Sequence, residues 1–86
     1  MKLIDIDRIH YLENHIFYIK EFDASVVVMD KRMQVHRYDM RFAIEYKPLG
    51  DTNITFKQMS PELEPIKDKI RTKIQAMDQD GKFIND

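Results

Sequence analysis

Arg37 to Lys47, RYDMRFAIEYK, alternates apolar and polar side chains over eleven residues. Tyr38, Met40, Phe42, Ile44 and Tyr46 are apolar. Arg37, Asp39, Arg41, Glu45 and Lys47 are charged, and only Ala43 breaks the polar series. A strand sends successive side chains to opposite faces, so this pattern dictates a long β-strand with one apolar and one charged face. A helix would scatter the same residues around its circumference. Any fold for this chain must give that strand a core on one side only.

The flanking segments supply the rest of a sheet. Leu3 to Ile9 reads as a first strand, with Ile4 and Ile6 on one side and Asp5 and Asp7 on the other. Residues 7–22 are two-sided: Ile9, Leu12, Ile16 and Ile19 have helical spacing. The β-branched and aromatic run Ile16 to Ile19 and a turn at Glu13-Asn14-His15 favour a strand over His15 to Phe22. Asp23-Ala24 reads as a break. Val26 to Met29 is apolar on both faces, which suits an interior strand. Asp30-Lys31-Arg32 makes a hairpin turn into the long strand. Pro48-Leu49-Gly50-Asp51 turns again, because proline fixes one dihedral and glycine permits positive φ. Thr52 to Lys57 is the last strand, with Ile54 and Phe56 inward.

A helix follows. Ser60-Pro61-Glu62 carries N-terminal signals, and Pro65 moves the regular helix toward its own position. Leu63, Ile66, Ile70, Ile74 and Met77 form one apolar stripe. Gly81 should close the helix, with Phe83 and Ile84 folding back on its last turn. The expected fold is therefore α+β: an antiparallel sheet of four to five strands with one C-terminal helix packed on one face. It reads as one domain over residues 1–86, with strands within 2–57, a helix over about 62–79 and a frayed tail at 82–86.

Composition narrows the function classes by exclusion. The 86 residues are 43% hydrophobic and 34% charged, which fits a folded domain rather than a disordered one. A net charge of −1 gives no global attraction to nucleic acid or an anionic membrane. With no cysteine, disulfides, thiolate nucleophiles and cysteine-held metals are ruled out. No apolar run exceeds four residues, far short of the roughly 20 a spanning helix needs. The N-terminus lacks a signal-peptide pattern, so the expectation is a cytoplasmic protein with no membrane partner.

Catalytic motifs are missing too. His10 and His15 lack the i, i+4 spacing that grips zinc, and His36 is remote. Asp78 and Asp80 with Gly81 share part of a calcium-loop spacing. Ala76 falls at the first ligand position, however, and no glutamate follows to close such a loop. Ser25 and Ser60 lack the glycines of a nucleophile elbow, and two glycines in all cannot build a phosphate-cradling loop. No metal or cofactor is expected.

Charge placement carries the remaining signal. Lys67, Lys69, Arg71 and Lys73 crowd seven helical positions and include two i, i+4 like-charge pairs. Each such pair costs about 0.2–0.5 kcal/mol in an isolated helix, so something must favour or tolerate them. The leading expectation is a small non-enzymatic protein-interaction domain, with self-association as one form of it. Its contact residues would be the outward face of the long strand: Arg37, Asp39, Arg41 and Glu45. The runner-up is a nucleic-acid-associated protein using Lys67, Lys69, Arg71 and Lys73. A distant third is an enzyme that gathers His10, His15 or His36 with carboxylates.

Overall fold

The computed structural model describes residues 1–83. Four strands follow one another: β1 (Lys2–Leu12), β2 (Ile19–Met29), β3 (Val35–Tyr46) and β4 (Thr52–Met59). They form one antiparallel sheet in chain order, β1-β2-β3-β4. A 3-10 helix (Pro61–Ile66) leads into the α-helix α1 (Lys67–Gln79). The fold is α+β, with the C-terminal helix on one face of the sheet.

The alternating stretch sets this architecture. Met40, Phe42 and Ile44 on β3 are at most 2% exposed. Beside them lie Phe22, Ala24, Val26 and Val28 of β2 and Ile54 of β4, and above them the helical stripe Leu63, Ile66, Ile70 and Ile74. Phe22 stacks on Phe42 with ring centroids 5.4 Å apart. Pro65 has no amide hydrogen and cannot extend a regular helix backward, so the chain runs as a 3-10 helix through it, and α1 begins at Lys67. Gly81 takes a positive φ of 77° after α1.

Three features differ from the sequence reading. The strands number four, within the expected four to five, and Asp23-Ala24 is not a break. The register runs unbroken through Asp23↔Arg41 and Ala24↔Met40. Arg41 supplies the partner that lets an aspartate sit mid-strand, and Ala24 packs into the core. The loop before β2 instead covers residues 13–18, where the Asn14 side chain accepts from the Ile16 amide and donates to the Ile19 carbonyl. Second, β1 bulges at Ile4. The extra residue puts Leu3 on the same side as Ile6 and leaves Ile4 41% exposed. Third, Phe83, expected on the last turn of the helix, reaches the sheet core. Phe83 is 3% exposed and packs on Phe22 and Phe42 at 4.9 and 5.8 Å. The expectation for Ile84 and the residues after it lies outside the described residues.

The two shorter hairpin turns, β2–β3 and β3–β4, are held locally. Asp30 accepts from the amides of Arg32 and Gln34 and pairs with His36 Nε2 at 2.8 Å. These contacts hold the Asp30 carboxyl below its ordinary value, the histidine bond most of all. At the other hairpin Gly50 needs a φ of 91°, which explains a glycine in a turn with open space around it.

Candidate functional site

The face of the sheet opposite α1 is covered by nothing among the described residues. Register places Asp7 and His10 of β1 there, with Glu21, Asp23, Ser25 and Val27 of β2. Arg37, Asp39, Arg41, Ala43 and Glu45 of β3 continue it, and Gln58 of β4 closes it. Alternation on neighbouring strands therefore collects charged residues from distant sequence into one surface.

Two cross-strand pairs organise this face. Arg41 Nε and Nη2 donate to the two carboxylate oxygens of Asp23, at 2.8 and 3.3 Å. Arg37 Nη1 donates to Asp7 Oδ1, reaching across β2. The guanidinium beside Asp23 holds that carboxyl below its ordinary value, and nearby His10 adds to the effect. Arg41 is raised in turn, chiefly by Asp23 and slightly by Glu21. Such exposed pairs add little stability but fix register and orientation.

Between these pairs lies a basin of about 410 Å³. Its lining is Arg8, His10, Asp23, Ala24, Ser25, Asp39, Met40, Arg41 and Gln58. Ser25 sits on the floor at 4% exposure. Its hydroxyl makes no hydrogen bond among the described residues, yet no fully buried polar atom lacks a partner there, so the oxygen opens into the basin. Arg8 arrives by a second bulge in β1: the register advances three residues from Asp7 to His10 against two from Ser25 to Asp23. Arg8 has a φ of 51°. Glycine is the residue suited to that backbone, and a side chain there costs of order 1–3 kcal/mol. The bulge aims Arg8 at the basin, where it forms no ion pair among the described residues.

The structure sorts the four strand residues singled out from sequence. Arg37 and Arg41 are occupied by Asp7 and Asp23. Asp39 and Glu45, together with Glu21, have no ion pair among the described residues. The strands of this face thus carry five carboxylates (Asp7, Glu21, Asp23, Asp39 and Glu45) against three guanidiniums (Arg8, Arg37 and Arg41), with Lys47 at its end, so that Glu21, Asp39 and Glu45 stand against Arg8 and Lys47 without an ion pair among the described residues.

The basic helix residues lie on the other side of the molecule, and most are engaged. Lys67 Nζ is 3.9 Å from Glu64 and Arg71 Nη1 is 2.7 Å from Asp68. Both also sit over the Phe56 ring, at 5.6 and 5.3 Å from its centroid. Lys73 reaches Asp5 at 3.9 Å. Only Lys69 of the four makes no ion pair among the described residues. A shared aromatic ring and separate carboxylates therefore offset the repulsion between Lys67 and Arg71. The histidines are not brought together: His10 lies on the open face, His36 is held by Asp30, and His15 is in the 13–18 loop. Among the described residues no three His, Cys, Asp or Glu side chains converge on a metal position. No helix there is long and apolar enough to cross a membrane.

Sequence reasoning missed Arg8, Ser25 and Gln58 as one constellation. Each comes from a different strand, and a bulge without glycine leaves no compositional mark. Comparisons with known protein families, with curated proteins and with solved structures find no match.

Proposed function

We propose that this chain is a cytoplasmic protein-binding domain that receives its partner on the open face of the sheet. The observation carrying this reading is the basin: an unpartnered Ser25 hydroxyl on its floor, with Arg8 and Asp39 at its margin. A face serving only solubility has no need of a left-handed arginine, whose conformational cost a glycine would avoid. Arg37 and Arg41 act as the frame, because their charges are used within the sheet. Asp39, Glu45, Glu21 and Arg8 are the groups left for a partner. Mixed signs with an acidic excess suit a polar contact with a basic protein surface better than contact with a polyanion. The absence of cysteine suits a reducing compartment.

The test is capture from lysate on the immobilised domain, repeated with the double variant Asp39→Arg/Glu45→Arg. The reading expects a captured protein to be lost when both charges are reversed. Capture that survives the double reversal refutes it. Sedimentation velocity of the purified domain at micromolar concentration shows whether the partner is a second copy.

A further inference from the structure

The two turns at one end of the sheet expose large apolar side chains that the fold does not use. Phe17 and Leu49 are each 93% exposed, and Ile16 and Tyr18 are 44% and 46% exposed. The Tyr46 amide donates to the Tyr18 carbonyl at 2.8 Å, which ties the 13–18 loop to the β3–β4 turn. Grooves of about 420 and 410 Å³ flank Phe17 and Tyr18. One is completed by Lys20, Tyr46, Asp78 and Phe83, the other by Glu45, Tyr46, Lys47 and Pro48. Tyr46 is a rigid wall between them: its hydroxyl donates to Asp78 Oδ1 at 2.8 Å, and burial, with that bond, pushes its ionisation well above the ordinary range.

Polar residues would serve both turns at lower cost, since turn geometry asks nothing of Phe17 or Leu49. Exposed aromatic anchors beside preformed grooves are the pattern of an interface hot spot. Charge selects the occupant. Glu13, Glu45, Asp51 and Asp78 stand around the two turns against Lys20 and Lys47, and Lys20 already lies over the Tyr46 ring at 5.6 Å. Each groove pairs one carboxylate with one lysine, and Glu13 and Asp51 leave a small acidic excess that favours a basic polypeptide over an anionic lipid surface.

We infer that the 13–18 loop and the Pro48–Leu49 turn form a second docking site, which takes a protein segment bearing an aliphatic or aromatic anchor flanked by lysine or arginine. This rests on the reading of the chain as a protein-binding domain, but the site centres on the two turns and shares only Glu45 with the open face. The experiment pans a random twelve-residue peptide library on the immobilised domain. Selected peptides are then titrated against wild type, Phe17→Ala/Leu49→Ala and the sheet-face variant Asp39→Arg. Phe17 and Leu49 are almost fully exposed, so their double variant keeps the fold, which circular dichroism verifies. The expected result is peptides that combine an apolar anchor with basic neighbours, lose at least tenfold in affinity to Phe17→Ala/Leu49→Ala, and bind Asp39→Arg unchanged. Failure to select peptides, selection of acidic or anchor-free peptides, or full affinity for Phe17→Ala/Leu49→Ala overturns the inference. Peptides lost only with Asp39→Arg overturn it while leaving the sheet-face reading standing. Sedimentation with phosphatidylcholine vesicles containing phosphatidylglycerol is run in parallel. Vesicle binding abolished by Phe17→Ala/Leu49→Ala assigns the turns to lipid and overturns it too.

Discussion

The two faces of β3 are built from alternate residues of one strand, and they are held by different physics. On the helix side Met40, Phe42 and Ile44 are sealed under Leu63, Ile70 and Ile74. Their contribution is area removed from water, which is non-directional and large. On the other side Arg37 and Arg41 each find one carboxylate across the sheet. Those pairs are directional and weak, and they leave the surface wet. The apolar face therefore decides that the chain folds, and the charged face decides what the folded chain presents.

Truncation on each face is the strongest way to break this division. Phe42→Ala removes a fully buried ring at the centre of a three-ring cluster with Phe22 and Phe83. The expected loss is about 3–5 kcal/mol, read from urea unfolding followed by circular dichroism. For a chain this short that takes much of its total stability. Its neighbour Arg41→Ala should move the urea midpoint far less. Comparable losses from the two variants would show that the charged face is part of the folding core after all.

How much of this was readable in advance follows the same division. Periodicity marks the helix side directly: alternation at 37–47 and three- and four-residue spacing from Leu63 to Ile74 each identify a buried face from local sequence alone. The open face has no such signature. Asp23 looks like a strand breaker until Arg41, eighteen residues away, is placed opposite it. Asp7 and Arg37 are thirty residues apart. The bulges at Ile4 and Arg8 carry neither glycine nor proline, yet they decide which side chains of β1 face the basin. Pairing across strands depends on register, and one extra residue in β1 is invisible until the neighbouring strand is in place.

The Arg8 bulge sharpens the comparison, because there the open face works against the fold. Arg8→Gly relieves the left-handed strain but adds unfolded-state entropy, two terms of opposite sign. The expected net effect runs from neutral to a gain of about 1 kcal/mol, read from the same urea titration. Capture of a partner on the open face should weaken at the same time. Clear destabilisation would mean that the arginine side chain supports the sheet, and the argument that it is held there for a partner would fail.

Asp23→Asn has the smallest expected effect and tests the pairing alone. The folded protein holds the Asp23 carboxyl below its ordinary value of 3.8, mainly through the hydrogen bond from Arg41. A carboxyl depressed on folding stabilises the native state above the unfolded value, and that contribution is lost as pH falls through the folded one. Asp30 and Glu62 are depressed as well and titrate in the same window, so the informative quantity is the difference between wild type and variant. At pH 7 the variant should be slightly the less stable. The gap should narrow below about pH 4 as wild-type Asp23 takes up its proton. Urea midpoints for both proteins between pH 7 and pH 2.5 measure it directly. A gap that stays constant with pH would place the loss in packing or strand geometry, and Asp23–Arg41 would then be a contact of shape rather than of charge.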